Sequence, residues 1–186
     1  MAADTKDVKI MGKAVVCEDS IIIGNVTIMP GCVIHTSAII LAEGGPIILG
    51  ENCIVEEYAT IRNRIRPSTA LLNRIPILNI GSNNVFEVGC TVEAIQIGEK
   101  NLFESKCYVG PYIAVKNRCI IGSGVKLNDC QEILDDTVIC KTLLQRVGIE
   151  QHAALQIDFL RKVLPNYHHL RKPNYDPKKV GTTNFY

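Results

Sequence analysis

A chain of 186 residues, 47% hydrophobic but only 5% aromatic, holds enough apolar material for one sizeable core and little of the Trp, Tyr and Phe that fills irregular ones. Its formal charge of +1 lacks the basicity that tracking nucleic-acid phosphates requires, and no run reaches the roughly 18 apolar residues of a membrane span. Met1 to Lys9 contains acidic residues and no apolar signal segment, so a soluble, cytosolic protein is expected, its eight scattered cysteines reduced.

In chain order, the first feature is a repeat. Large apolar residues recur at every sixth position through Ile10, Val16, Ile22, Ile28, Ile34 and Ile40. After a shift they resume as Leu49, Val55 and Ile61, and after a longer break as Ile80, Phe86 and Val92. The last run is Ile97, Phe103, Val109, Val115, Ile121 and Leu127, followed by a slipped Leu134. Ile, Leu, Val and Phe fill 59 of the 186 positions, so unbroken runs of them at this spacing are far from chance.

Neither a helix nor a half-buried strand has a period of six. Three short strands per turn of a triangular coil do. Each apolar anchor then points inward. Four residues after the anchors come mostly small residues, among them Cys32, Cys53, Cys90, Cys107 and Cys119, which this pattern makes packing residues. Gly50, Gly81, Gly98, Gly110 and Gly122 directly follow anchors, where glycine is expected to relax the corner backbone. Stacked coils share parallel ladder hydrogen bonds at about 4.8 Å. The fold class is therefore all-β, a parallel β-helix built as a hexapeptide-repeat solenoid, whose left-handed winding is that known for hexapeptide-repeat proteins.

The phase slips mark interruptions. Glu43 to Pro46 reads as a turn-like insertion. Arg62 to Asn79 reads as a protruding loop that carries Arg62, Arg64, Arg66 and Arg74 without an acidic residue, a candidate binding element. Gln151 to Leu164 reads as an amphipathic helix that lies along the solenoid, buries Leu155, Phe159 and Val163, and stops at Pro165. The expected organisation is a solenoid over residues 1–148 with its loop at 62–79, a packed helix over 149–165, and a basic polar tail over 166–186 that is extended or partly disordered. Residues 161–186 hold six basic residues and one acidic, which leaves 14 basic against 18 acidic elsewhere, net −4.

Two enzyme classes use such solenoids, and each is tested on its residues. A hexapeptide acyltransferase needs a general-base histidine. His35 alone lies in the repeat, one residue after an anchor, where it should face solvent. A γ-type carbonic anhydrase needs three zinc-binding histidines, and His152, His168 and His169 fall outside the coils. No nucleophile triad or phosphate-binding loop is present. Expected are no metal, no cofactor and no catalytic residue.

A resemblance enters at the C-terminal helix. Leu155-Gln156-Ile157-Asp158-Phe159-Leu160, then Val163-Leu164-Pro165-Asn166-Tyr167-His168-His169-Leu170, resembles the terminal signature of the dynactin subunit 6 family. Ile80-Gly81-Ser82-Asn83-Asn84-Val85-Phe86-Glu87-Val88-Gly89-Cys90 is similar to its central coil, as are Glu104-Ser105-Lys106, Tyr108-Val109-Gly110 and Val15-Val16-Cys17 to other parts. The likeness runs from about Val8 to Lys172 and departs at the basic Arg62 to Arg74 loop, where the family has a more acidic, Pro-rich one. It implies a non-catalytic subunit of the dynactin pointed-end complex, which supports dynein-driven transport of cargo such as endosomes. It also implies dynactin subunit 5, a second β-helix, as neighbour, with dynactin subunit 4, the pointed-end actin-related protein and dynein or cargo adaptors as further partners. The implied location is the cytoplasm and microtubule cytoskeleton, with kinetochores besides.

A solenoid also leaves strand edges at both ends, near Ile10 to Thr27 and near Leu127 to Leu144, which must be capped or joined. Ile21 and Ile23 point outward on the first coils and suit lateral contact with another β-helix of equal rise.

Overall fold

A computed structural model of the chain describes residues 7–64, 75–140 and 153–175. The hexapeptides form short parallel strands on three faces of a triangular prism, a left-handed β-helix of about seven turns. The first face stacks β1 (Val8–Ile10), the second half of β3 (Ile21–Ile28), the second half of β5 (Ile39–Leu49), β8 (Leu78–Ile80), β11 (Gln96–Ile97), β14 (Ile113–Val115) and β17 (Gln131–Ile133). The second stacks β2 (Val15–Val16), β4 (Val33–Ile34), β6 (Ile54–Val55), β9 (Val85–Phe86), β12 (Leu102–Phe103), β15 (Ile120–Ile121) and β18 (Val138–Ile139). The first halves of β3 and β5 begin the third, which continues through β7 (Thr60–Asn63), β10 (Thr91–Val92), β13 (Tyr108–Val109) and β16 (Lys126–Leu127).

Register explains the phase slips. On the first face Val8 pairs with Val26, Val26 with Ile47, Ile47 with Leu78, Ile80 with Ile97, Ile97 with Val115 and Val115 with Ile133. The coil repeats are therefore 18, 21, 31, 17, 18 and 18 residues. The three extra residues of the second coil pass through the corner inside β5, so Glu43 to Pro46 is extended chain rather than a separate turn. The unbroken step from Val115 to Ile133 corrects the last anchor: Ile133 is buried and the neighbouring Leu134 is exposed, so no slip occurs there.

The anchors fill the interior, and Phe86 and Phe103 stack across consecutive coils with centroids 4.8 Å apart, the spacing of the ladder itself. Cys32, Cys53, Cys90, Cys107 and Cys119 are buried at the inner corners. Asn84 and Asn101 share that position and are equally buried. Asn84 Nδ2 donates to the Gly81 and Gly98 carbonyls at 2.7 and 2.8 Å, while its Oδ1 accepts from the Asn101 N–H at 2.8 Å. Asn101 Oδ1 then accepts from the Cys119 N–H at 2.7 Å. Buried amides thus continue the hydrogen-bond ladder around the corner.

The glycines after the anchors have another role than corner relaxation. Left-handed backbone is instead taken mostly by Lys13, Ser37, Asn52, Tyr58, Asn83, Lys100, Lys106, Arg118 and Asp136, at about 1–2 kcal/mol each outside glycine. Gly50 is required by proximity, since a Cβ there would lie 2.6 Å from the backbone of Gly81 in the next coil.

Helix α1 (Ala153–Tyr167) lies over the second face against β2 and β4. The stripe that faces the solenoid is Ile157 and Leu164 with Leu160 partly buried, packed on Val15, Val33, Ile54 and Val85. Phe159 is 62% exposed and Val163 only half-buried, which corrects the expected stripe; the side chain of Leu155 lies outside the described residues. Pro165 does not stop the helix, because in the last turn its missing N–H costs one bond only. Beyond it, residues 168–175 are docked rather than free. Leu170 bridges Cys17 in antiparallel fashion, the Glu18 N–H donates to the His169 carbonyl at 2.8 Å, and the Arg171 N–H donates to Val16 at 2.8 Å. Asn174 accepts from the Ile10 N–H and donates to the Val8 carbonyl, both at 2.7 Å. The N-terminal strand edge is thereby capped by the chain's own C-terminal segment, and residues 141–152 and 176–186 lie outside the described residues.

Candidate protein-interaction surface

On the third face, inward anchors alternate with outward side chains, and the outward column reads Ile21, Ile39, Thr60, Thr91, Tyr108 and Lys126 from the first coil to the last. The column is apolar only at its N-terminal end. Ile21 is 48% and Ile23 36% exposed, with Ile39 and Leu41 half-buried beside them in the next coil. Charged residues bound this patch. Beyond Leu41 the neighbouring column continues with Arg62, which sets a bidentate pair on Glu43 at 2.8 and 2.9 Å.

The arginine loop is smaller than its sequence implies. Arg62 and Asn63 belong to β7, and Leu78 and Asn79 to β8, while Arg66 and Arg74 lie outside the described residues. Its mouth is closed by Asn63, fully buried, whose Nδ2 donates to the carbonyls of Gly45, Pro46 and Pro76 at 3.0, 3.2 and 2.8 Å. Arg64 reaches Glu93 at 3.3 Å, and Arg62 reaches it at 3.7 Å. Glu93 also accepts from the Tyr108 hydroxyl at 3.0 Å, and burial together with that carboxylate pushes the Tyr108 phenol up. Acidic residues from other coils therefore pair with Arg62 and Arg64, a neutralisation invisible within the segment itself.

His35 is a further correction. It is 6% exposed, not solvent-facing; its Nδ1 lies 2.9 Å from Glu57 Oε1 and its Nε2 is buried without a partner. Burial pushes the Glu57 carboxyl up, but the hydrogen bond and charge of His35 outweigh it and hold the group below its ordinary value. A general base must reach its substrate's proton. The second imidazole nitrogen is closed off from solvent, so in this structure it reaches no substrate's proton. The inner-corner thiols are equally withdrawn, whereas Cys130 is exposed and Cys140 half-buried: the Cys53 thiol and burial push Cys32 well above its ordinary value, and Cys107 and burial do the same to Cys90. Among the described residues no group of three His, Cys, Asp or Glu side chains is arranged to hold a metal ion.

The geometry defines a class, the hexapeptide-repeat left-handed β-helix, and solved structures share it. A hexapeptide transferase family protein from Anaplasma phagocytophilum superposes with a TM-score of 0.64 at 15% identity, covering 86% of this chain and 88% of the other, a likeness of fold alone. Sequence comparison is more specific. Dynactin subunit 6 of Danio rerio is 46% identical over 174 residues, 90% of this chain and 89% of that protein, and dynactin subunit 6 of Xenopus tropicalis is 47% identical over 173 residues, 89% and 85%. No protein-family model matches the chain. It belongs to the dynactin subunit 6 family.

Proposed function

We propose that this chain is a non-catalytic structural subunit of the dynactin pointed-end complex, working in the cytoplasm to support dynein-driven movement of cargo such as endosomes along microtubules. The observation that carries this reading is identity of 46–47% to dynactin subunit 6 proteins over about nine-tenths of the chain. The buried Nε2 of His35 and the withdrawn thiols of Cys32 and Cys90 support the non-catalytic part.

The interface proposed is the apolar end of the third face, with Ile21 and Ile23 at its centre, set laterally against a second β-helix, dynactin subunit 5. Isolated outward apolar residues are ordinary, but a contiguous patch over two coils suits a partner. Dynactin subunit 4, the pointed-end actin-related protein and dynein or its cargo adaptors are the further partners. Arg62 and Arg64 are weaker candidates, because Glu43 and the buried Glu93 already engage them.

Affinity purification of the tagged chain followed by native mass spectrometry tests the assignment. Expected is one copy in an assembly with other dynactin subunits. A homotrimer of the 20.5 kDa chain with no other subunit would overturn it.

A further inference from the structure

The two ends of the solenoid are finished differently. The first and the last steps of the coil both take 18 residues, so the end coils have the same triangular section. Paired strands run parallel in one direction from the first coil to the last. The outer rim of the last coil therefore matches the outer rim of the first, and the backbone pattern alone would let one molecule's last coil dock on another's first. Such a contact joins two different surfaces along one axis, so it does not close and propagates into a filament.

At the last coil, β16, β17 and β18 each pair on one side only, and their outer edges meet no partner strand among the described residues. The first coil is closed by residues 168–175. On β2, the Glu18 N–H donates to the His169 carbonyl and the Val16 carbonyl accepts from the Arg171 N–H. The Arg171 guanidinium reaches on to the carbonyls of Glu18 and Ser20, at 3.1 and 2.7 Å. On β1, Asn174 stands where a neighbouring strand would: its side chain accepts from the Ile10 N–H and donates to the Val8 carbonyl, and its N–H donates to the Ile10 carbonyl at 3.1 Å. The Lys9 ammonium adds a contact with the Tyr175 ring, 5.3 Å from its centroid. This strap does not continue the coil. Its bridge from Leu170 to Cys17 is antiparallel, and its exposed Lys172 and Pro173 put a charge and a missing N–H on the outside, both of which discourage a further strand.

We propose that residues 168–175 are a guard against self-assembly: they close the first coil to the last coil of a second copy of this chain, and without them the chain stacks head to tail. The occupant is a second copy because its last coil offers the same section, strand direction and register as the coil that would precede Val8. Arg171 and Asn174 carry the guard, since their side chains hold rim groups that would otherwise accept the incoming coil. The inference concerns the ends of the solenoid alone, so it stands whether or not the lateral contact at Ile21 and Ile23 does.

The test is sedimentation velocity on the full chain over a wide range of concentration. Arg171→Pro with Asn174→Pro removes the strap's bonds to Val8, Val16 and Ser20 and leaves the residues of the solenoid and α1 unchanged. The wild type should stay at the 20.5 kDa monomer, whereas the variant should form a ladder of species that lengthens with concentration and has no closed size. Wild type added in substoichiometric amount should shorten the ladder, because its last coil docks on an open first coil while its own first coil is closed. Lys126→Pro, added to the variant, should return it to monomer: Lys126 pairs with Tyr108, whose N–H bonds to the following coil, so this proline removes an N–H from the outer edge of β16. A folded proline variant that stays monomeric, a closed oligomer of one size, or assembly indifferent to wild type and to Lys126→Pro would overturn the proposal. Circular dichroism checks folding. If the proline pair does not fold, Asn174→Ala, which keeps the strap's backbone bonds, carries the same test: the same ladder should appear from a higher concentration, and its absence would overturn the proposal equally.

Discussion

The second and third faces are built from the same hexapeptide yet use their outward positions differently. On the second face the outward column Val15, Val33, Ile54, Val85 is apolar and buried, because α1 lies on it. On the third face the column opens with Ile21 and Ile39 and ends in Tyr108 and Lys126. Inward positions of a solenoid report the fold, whereas outward positions report what covers each face. An outward apolar column with a cover in the same chain is a packing seam, and a contiguous one without such a cover is the candidate for a contact with another molecule.

The strongest way to break this comparison is to attack what the faces share. Val109→Asp places a charge in a fully buried interior position and should destabilise by more than about 4 kcal/mol, read as loss of cooperative folding in urea. A soluble variant with near wild-type stability would mean that the interior is not close-packed. Next comes the contrast itself. Ile54→Ala on the covered face should cost about 2–4 kcal/mol, while Ile21→Ala on the open face should cost less than about 0.5 kcal/mol. Equal losses in denaturant titrations would erase the distinction between the faces.

Smaller is the effect of Asn174→Ala, which leaves the Ile10 N–H and Val8 carbonyl without their side-chain partner and should cost about 1–2 kcal/mol. Hydrogen exchange should accelerate at residues 8–10 and stay unchanged at the central coils; unchanged exchange throughout would show that the C-terminal segment does not cap the edge.

The smallest effect concerns pH. The folded carboxyl of Glu57 titrates below its unfolded value, so its stabilisation is complete above the ordinary carboxylate range near about 4.3 and is lost as pH falls through the folded value. Glu57→Gln should therefore melt below the wild type at about pH 5 and above, and the margin should close below about pH 4. A margin that widens as pH falls from about 5 to below about 4 would reverse the sign of this interaction.

Much of this was legible in the sequence because inward residues of a solenoid repeat with their own period, independent of the rest of the fold. The step from Leu127 to Ile133 is itself six residues, so the last anchor was readable; Leu134 misled only because it adjoins another large apolar residue. Asn84 and Asn101 also carried a signal, each four residues after an anchor in the place of the buried cysteines. Burial of His35 was not legible, since it depends on Glu57 in the next coil. The helix seam was ambiguous for a different reason. With apolar residues over a wide arc, spacing alone does not decide between Phe159 and Ile157, and it is Ile157, Leu160 and Leu164 that pack on the second face.

The family alone would be satisfied by any surface that places the chain in dynactin, so the sharper claim is that the open end of the third face is the lateral interface. Ile21→Glu with Ile23→Glu should leave folding intact, because both side chains are exposed. The measurement is the subunit stoichiometry of dynactin purified from cells that carry this double variant in place of the wild type. Expected is a complex that lacks this chain while the variant survives as a folded, unassembled protein; incorporation at wild-type stoichiometry would contradict the assignment.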